Sequence, residues 1–321
     1  MGRASGRKHK HGVSAAAPPP TSRRDVFQRV KRSVVAIAIP PAELVDPKQG
    51  DVFTQDSVRA SYKRIAIIGS GFVVHKSGII LTAKHVVQDW IDEAQRIAGG
   101  ARPSLPPLRA LIHQPPRPHG TGALVGFGMA PVISIVSHLQ FDLAVLKLQL
   151  PKAPLTAPLV VLEPATRECE EGDRIGICGY PHGRKLHSDI LGAVINPSFA
   201  SGIVSAVFPY PGVPRHVRPH FQIDAIVNPG NSGGPVFEIA TGRAFGVVSE
   251  YARIKTKVML LEEDQASPSA TQKSYTAKEG DVEVPVGYGQ AIDICQADQL
   301  IAEILKPGGI APSVPPRSPS S

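Results

Sequence analysis

The chain has 321 residues, of which 42% are hydrophobic and 19% charged, proportions typical of a soluble globular protein with a sizeable core. Its net charge of +8 belongs to residues 1–32, which carry nine Lys and Arg residues against a single acid. The remainder is neutral on balance and gives no electrostatic reason to expect nucleic acid. Only the basic N-terminal arm is a candidate for such contact, and a solvated tail is the favoured interpretation of that arm.

The three cysteines, Cys169, Cys178 and Cys295, are too few and too scattered for a disulfide framework. The N-terminal residues lack the apolar stretch of a signal peptide, and no apolar run approaches the length of a membrane span. We therefore expect a cytoplasmic protein with reduced thiols and no membrane segment.

Short apolar runs punctuated by Gly and Pro predict β structure in the first half of the chain. Residues 1–24 form a basic arm, rich in Ala and Pro, that we expect to be disordered. Order begins near Asp25 with a short helix. A Gly-containing turn at 75–78 predicts a hairpin. Strands are predicted at 34–39, 64–74, 79–82, 108–112, 132–136 and 143–148.

The second half continues this pattern after a Pro-rich linker at 151–158. Residues 252–283 are polar, charged and rich in Ser and Thr, which predicts a long mobile insertion. Apolar residues at helical spacing predict a helix over 294–305, and the tail 306–321 is expected to be disordered. Strands are predicted at 174–181, 201–207, 221–224, 235–237, 244–249 and 287–292.

One Gly-rich loop has the composition that a nucleophilic serine needs. Gly230 precedes Ser232 by two residues, and without a Cβ it lets the backbone turn sharply enough for two N–H groups to converge. A serine hydroxyl attacks only when a base takes its proton and nearby donors stabilise the developing charge. Taken alone, the loop also fits an ordinary hairpin turn.

A histidine and an aspartate upstream supply the missing parts. His85 would take the proton of Ser232, and Asp142 would accept a hydrogen bond from the other imidazole nitrogen, fixing the tautomer. Each of the three lies next to a predicted strand, where a loop can project it into a cleft. Sequence spacing does not show that they meet in space.

These segments resemble those of chymotrypsin-fold serine peptidases, most closely the bacterial HtrA/Deg branch of the trypsin-like peptidases. The resemblance covers roughly residues 26–305, with weaker support at 201–205 and 287–292. Four stretches carry it, in the order of the family: 69–74 (GSGFVV), 81–87 (LTAKHVV), 141–147 (FDLAVLK) and 228–235 (NPGNSGGP).

The resemblance implies an all-β fold of two antiparallel six-stranded β-barrels with a short C-terminal helix and a site in the cleft between the barrels. The peptidase domain would cover residues 25–305. Within it, the N-terminal barrel would span about 33–150, the C-terminal barrel about 160–293, and the helix 294–305.

The resemblance further implies that His85, Asp142 and Ser232 form a catalytic triad, with the N–H groups of Gly230 and Ser232 as the oxyanion hole. Protein or peptide substrates would be cleaved through an acyl-enzyme, without a metal or an organic cofactor. The alternative is a catalytically idle barrel that binds peptides as a scaffold module. The presence of all three triad residue types favours the peptidase, because a decayed site usually lacks one.

Two departures from the family limit what can be carried over. Asn231 stands where digestive and clotting relatives have an aspartate that pairs with a newly cut N-terminus, so we expect no activation of that kind. About fifteen residues follow the last predicted helix, so we expect no PDZ domain. HtrA relatives often form trimers through N-terminal segments, but the arm shows no clear apolar contact pattern, which leaves homo-oligomerisation open.

Specificity residues follow from the same resemblance. Ile226, six residues before the serine, and its neighbour Val227 would form the base of the pocket for the residue preceding the scissile bond (P1), favouring small or medium aliphatic side chains. Ser249 and Tyr251 would line the cleft. Asp224 would serve a basic P1 residue only if it faced the pocket, and we expect it to anchor a loop instead.

The remaining histidines include two close pairs, His182 with His187 and His216 with His220. Both pairs lie in loops without nearby cysteines or paired carboxylates. We therefore interpret them as surface residues and predict no metal site.

Overall fold

The apolar runs form two closed antiparallel β-barrels of six strands each, which confirms the predicted fold class. The structure, a computed structural model, describes residues 22–40, 65–100, 105–113, 117–119, 122–124, 127–150, 158–181, 197–208, 220–263 and 275–306. The N-terminal barrel has the strand order β1-β2-β3-β8-β7-β4. Its strands are β1 Val34–Ile39, β2 Ala66–His75, β3 Ile79–Thr82, β4 Arg109–His113, β7 Phe127–Ser137 and β8 Ala144–Leu148.

The C-terminal barrel has the order β10-β11-β14-β13-β12-β9. A separate two-stranded sheet joins β5 Arg117–His119 to β6 Gly122–Leu124. The strands of the C-terminal barrel are β9 Arg174–Gly179, β10 Ser198–Phe208, β11 His220–Ile223, β12 Pro235–Glu238, β13 Ala244–Glu263 and β14 Tyr275–Asp293.

Three short α-helices and two 3-10 turns complete the described part of the chain. The helices are α1 Arg23–Ser33, α2 Gln88–Ala98 and α3 Asp298–Leu305. The 3-10 turns cover Lys84–Val87 and Ile294–Ala297, so the C-terminal helix predicted at 294–305 begins as a 3-10 turn.

Strand β1 shows why the apolar runs are continuous rather than alternating. Val35 and Ile37 face the interior of the N-terminal barrel, whereas Val34 and Ala36 face a second apolar layer shared with the C-terminal barrel. Because successive side chains of a strand point to opposite faces, a strand buried on both faces needs apolar residues at every position. The shared layer joins the two barrels.

Helix α1 strengthens this junction. The Ser22 side chain caps it by accepting a hydrogen bond from the Asp25 N–H at 3.2 Å. The helix runs directly into β1 of the N-terminal barrel, yet Phe27 stacks on Phe199 of β10 with ring centroids 4.8 Å apart. The last two residues of the predicted disordered arm, Arg23 and Arg24, are helical, so that prediction is wrong for them, and residues 1–21 lie outside the described part.

The prediction of a mobile insertion at 252–283 is wrong for most of that stretch. Strands β13 and β14 continue past the barrel as a two-stranded antiparallel arm, in register from Arg253 opposite Pro285 to Glu263 opposite Tyr275. Backbone hydrogen bonds between the two strands stabilise this arm. Because such bonds do not require apolar side chains, the sequence of the arm lacks the apolar pattern of a strand with a buried face.

Candidate active site

His85 and Asp142 form a two-point contact at one end of the N-terminal barrel. The His85 N–H donates to Asp142 Oδ1 at 2.8 Å, and His85 Nδ1 lies 2.7 Å from Asp142 Oδ2. Since an ionised carboxylate only accepts hydrogen bonds, Nδ1 carries the proton and Nε2 presents a lone pair. The His85 side chain is 49% exposed, so this nitrogen is accessible.

The C-terminal barrel contributes a third hydrogen bond to the same carboxylate. The Ser249 hydroxyl, on β13, donates to Asp142 Oδ2 at 2.6 Å. Burial alone would raise the pKa of Asp142, but the hydrogen bonds from His85 and Ser249 outweigh burial and hold the pKa below its usual value. Asp142 therefore stays ionised, the state that fixes the His85 tautomer.

The Ser232 loop is docked onto strands of the N-terminal barrel. The Ser70 N–H, on β2, donates to the Ser232 carbonyl at 2.9 Å. Gly233 adopts a φ of +83°, and a Cβ there would lie 2.1 Å from the Ser70 carbonyl oxygen and 2.2 Å from Thr82 Oγ1. Only glycine fits this position. The docking places Ser232 beside the segment that leads from Thr82 to His85.

Residues 228–231 form a type II turn immediately before Ser232. The Asn231 N–H donates to the Asn228 carbonyl at 2.9 Å, and Gly230 has a φ of +96°. Proline cannot adopt positive φ at position 229, so the combination defines a type II turn with Pro and Gly at its two central positions. Among the described residues, the N–H groups of Gly230 and Ser232 have no protein acceptor.

The two halves of the site are close but not hydrogen-bonded. Within the described ranges, no hydrogen bond joins the Ser232 hydroxyl to His85. Catalytic hydrogen bonds are often long in peptidases without substrate and shorten in the substrate complex. The loop and the His85–Asp142 pair thus occupy the same cleft without a completed proton path.

The specificity candidates fall in different environments. The Ile226 side chain is 61% exposed, whereas Val227 is 2% exposed and packs in the core of the C-terminal barrel. The Val227 side chain therefore faces away from the cleft. Ser249 is 5% exposed and its hydroxyl is engaged with Asp142, so its side chain is not free to line the cleft. Tyr251 lies on β13, next to the barrel end of the arm.

Asp224 is exposed like Ile226, so strand alternation puts both on the same side. Its Oδ1 accepts a hydrogen bond from the Ile203 N–H at 2.5 Å, and a Cβ on Gly202 would collide with this oxygen. The carboxylate anchors β10, the loop-anchoring role that the sequence suggested.

Two residues near the site were not singled out from the sequence. Ser70 is fully buried, and its hydroxyl donates to the Gly230 carbonyl at 2.6 Å. Leu139, three residues before Asp142, is 95% exposed. In the sequence, Ser70 stands out only as a serine between two glycines, and Leu139 only as a leucine in a polar turn. Neither pattern is specific enough to indicate a functional role.

The histidine pairs show no metal site in the described part of the chain. His182, His187 and His216 lie outside it, and His220 sits in β11 with its ring 5.9 Å from that of Phe141. Within these limits, no group of three or more His, Cys, Asp or Glu residues is arranged to hold a metal ion.

Two closed six-stranded barrels carrying a serine in a Gly-rich turn and a histidine held by an aspartate make up the architecture of a chymotrypsin-fold serine peptidase. The family of trypsin-like peptidase domains matches residues 69–247, more than half of the chain. The chain belongs to this family, and its sequence relatives place it in the HtrA/Deg branch.

Sequence relatives agree with this placement. The putative serine protease HhoA of Synechocystis sp. is 30% identical over 251 residues, which cover 73% of this chain and 52% of that protein. A probable periplasmic serine endoprotease, DegP-like, of Brucella suis biovar 1 is 30% identical over 256 residues, 78% of this chain and 36% of that protein. The chain thus spans about half or less of these relatives.

Among solved structures, the HtrA-type protease AlgW with a decapeptide matches with a TM-score of 0.49 and 20% identity. The match covers 89% of this chain and 68% of that one.

The cytoplasmic location predicted from the cysteines and the N-terminal sequence is contradicted by the relatives. Those of Halomonas elongata, Pseudomonas fluorescens and Brucella suis are all named as periplasmic endoproteases. Three unpaired cysteines, two of them buried, do not report a compartment, because a protein without disulfides folds in either. No helix in the described ranges is long and apolar enough to cross a membrane.

Proposed function

We propose that this chain is a serine endopeptidase that hydrolyses peptide bonds of protein substrates through an acyl-enzyme on Ser232. The observation that carries the proposal is the chain of hydrogen bonds from Ser249 through Asp142 to His85. It leaves His85 Nε2 as an exposed base beside the serine loop.

In the first half of the reaction, the Ser232 hydroxyl would attack the scissile carbonyl while its proton passes to His85 Nε2. The imidazolium so formed is stabilised by the ionised Asp142, and it returns the proton to the leaving amine as the C–N bond breaks. In the second half, a water molecule attacks the acyl ester with the same histidine as base. The product acid leaves and the Ser232 hydroxyl is restored.

The negative oxygen of each tetrahedral intermediate would be held by the N–H groups of Gly230 and Ser232. Neither group has a protein acceptor among the residues that the structure describes, and the type II turn determines the direction of the first. Donors fixed in advance are effective because they need no reorganisation as charge develops. The turn is therefore part of the proposed catalytic apparatus.

For specificity, we infer a preference for small or medium aliphatic P1 residues, carried by Ile226. Its side chain is exposed six residues before Ser232, and the nearby Asp224 carboxylate is occupied by the Ile203 N–H. An Ile226→Asp variant should shift cleavage towards Lys and Arg. Dominant cleavage after basic residues by the unmodified chain would contradict the preference.

The test is cleavage of an unfolded protein, with each new N-terminus identified by mass spectrometry. The wild-type chain should produce internal cuts, and Ser232→Ala should produce none. The matched control is Ser201→Ala, which removes an exposed hydroxyl from β10 of the same barrel. Equal cleavage by wild type and Ser232→Ala would show that the activity does not belong to this site. A well-folded wild type that binds unfolded protein but never cuts it would favour the scaffold alternative.

A further inference from the structure

Ser70 of the N-terminal barrel makes two hydrogen bonds to the loop that carries Ser232. It lies on β2 between Gly69 and Gly71, is fully buried, and pairs with Ala36 of β1. Its hydroxyl donates to the Gly230 carbonyl at 2.6 Å, and its N–H donates to the Ser232 carbonyl at 2.9 Å. The side chain and the backbone N–H of Ser70 thus hold the carbonyls of Gly230 and Ser232.

The direction of the Ser70 hydroxyl is determined by its other partner. The Tyr180 N–H donates to Ser70 Oγ at 2.9 Å. A hydroxyl has a single proton, and since Oγ accepts from Tyr180, that proton is directed to the Gly230 carbonyl. The Ser70 carbonyl is itself held by Thr82 Oγ1 at 2.7 Å. Ser70 is therefore anchored by strands β1 and β3 and by the residue that follows β9.

The residues of the turn do not by themselves choose one conformation, so its contacts with the rest of the protein matter. Gly230 adopts positive φ here, but a glycine populates negative φ about as readily. A change from type II to type I would rotate the peptide between Pro229 and Gly230 by about half a turn and point its N–H away from its present direction. Proline at the first central position is compatible with both turn types.

We propose that Ser70 is a positioning residue that holds the Gly230 carbonyl and thereby fixes the place in the site of Gly230, whose N–H would bind the oxyanion of the reaction. The inference rests on the proposed peptidase function. The Gly230 carbonyl has the same direction in both turn types, because ψ at the second central position is near 0° in each, so Ser70 fixes where Gly230 lies. The serine of the sequence GSGF would thus fix the position of a turn that belongs to the other barrel.

The experiment measures labelling of the folded protein by an alkyl fluorophosphonate, whose phosphoryl oxygen needs the same N–H donors. Two quantities are separated: the limiting rate at saturating probe, and the probe concentration that gives half of that rate. Removing an oxyanion donor costs about 10²–10³ in rate, so releasing one by Ser70→Ala should slow the limiting rate about tenfold to a hundredfold. The half-saturating concentration should stay the same, because probe binding does not depend on the turn.

Ser33→Ala is the matched control. Ser33 is also fully buried, and its hydroxyl also donates to a backbone carbonyl, that of Val30 at 2.7 Å, but at the end of α1. It should lower the thermal midpoint about as much as Ser70→Ala and leave the limiting rate unchanged. Ser70→Cys fills the same space with a weak donor and should remain slow.

The outcomes separate the two proposals. Fast labelling of wild type with slow labelling of both Ser70 variants supports the positioning role. Wild-type limiting rates in Ser70→Ala, or full recovery in Ser70→Cys, would overturn it while leaving the peptidase proposal intact. A folded wild type that takes no label would overturn the peptidase proposal, and the positioning role with it.

Discussion

The Ser249 hydroxyl of the C-terminal barrel donates a hydrogen bond of 2.6 Å to Asp142 Oδ2 of the N-terminal barrel. The same oxygen accepts from His85 Nδ1 at 2.7 Å. The ionisation of Asp142 and the orientation of His85 therefore depend on how the two barrels are packed, because a key donor comes across their interface.

Removing this donor should weaken the site without unfolding the protein. In Ser249→Ala, the pKa of Asp142 should rise because one of the hydrogen bonds that lower it is lost. We expect labelling by a fluorophosphonate to slow about tenfold, the equivalent of one hydrogen bond to a charged group of about 1.5 kcal/mol. Carbon NMR of the Asp142 carboxyl would follow its pKa. An unchanged pKa would show that the hydroxyl does not support the carboxylate in solution.

Gly233 tests whether the serine loop is docked as described. Gly233→Ala adds a Cβ that would lie 2.1 Å from the Ser70 carbonyl oxygen, at a φ of +83°. In the control Gly172→Ala, φ is +88° and no heavy atom lies within 4 Å of the added Cβ. This variant therefore measures the backbone strain alone, about 1 kcal/mol. Chemical denaturation should show Gly233→Ala losing at least about 2 kcal/mol more, because the clash is with backbone. Equal losses would mean that the loop lies elsewhere.

Phe27 tests the junction made by α1. Its ring stacks on Phe199 at 4.8 Å and meets Phe237 edge-on at 6.1 Å. Since Phe→Ala in a core costs about 3–5 kcal/mol and Phe27 is only partly buried, we expect a loss of about 2–3 kcal/mol for Phe27→Ala. Phe208→Ala, at the 46% exposed end of β10, should change the free energy of unfolding by less than about 0.5 kcal/mol. A small loss for Phe27→Ala would indicate that α1 is not docked.

His138, which lies near the site, should make the free energy of unfolding depend on pH. Burial lowers the pKa of His138 from its ordinary value of 6.5, and the charge of Lys84 lowers it further. Its Nδ1 accepts hydrogen bonds from the N–H groups of Gln140 at 3.1 Å and Phe141 at 3.0 Å, which only the neutral ring can do.

The unfolded chain therefore binds a proton at pH values where folded His138 does not. The stabilisation is fully present at pH values above the ordinary histidine pKa of 6.5. It is lost as the pH falls from about 6.5 through the lower pKa of folded His138. His138→Asn supplies a non-titrating acceptor for the same turn. Denaturation at several pH values should show a shallower decline in this variant; parallel curves would rule out the His138 contribution.

Most strands could be predicted from the sequence because they are buried, and burial imposes apolar runs bounded by Gly and Pro. Their closure into two six-stranded barrels was predicted only from the resemblance to chymotrypsin-fold peptidases. The positions of His85 and Asp142 beside strands made them candidates, but their hydrogen-bonded contact became visible only in the structure. The arm formed by β13 and β14 was missed, since its strands are stabilised by pairing with each other. The role of Ser70 was also missed, because its partner Gly230 is 160 residues away and the contact exists only once the two barrels dock.

The measurement that tests the central claim most directly is fluorophosphonate labelling followed by peptide mapping of the modified residue. We predict one label per chain, located on Ser232, and its loss in both Ser232→Ala and His85→Ala, because loss of either costs on the order of a million-fold in a true triad. A label on another residue, or one that survives in His85→Ala, would contradict an activated serine at this site.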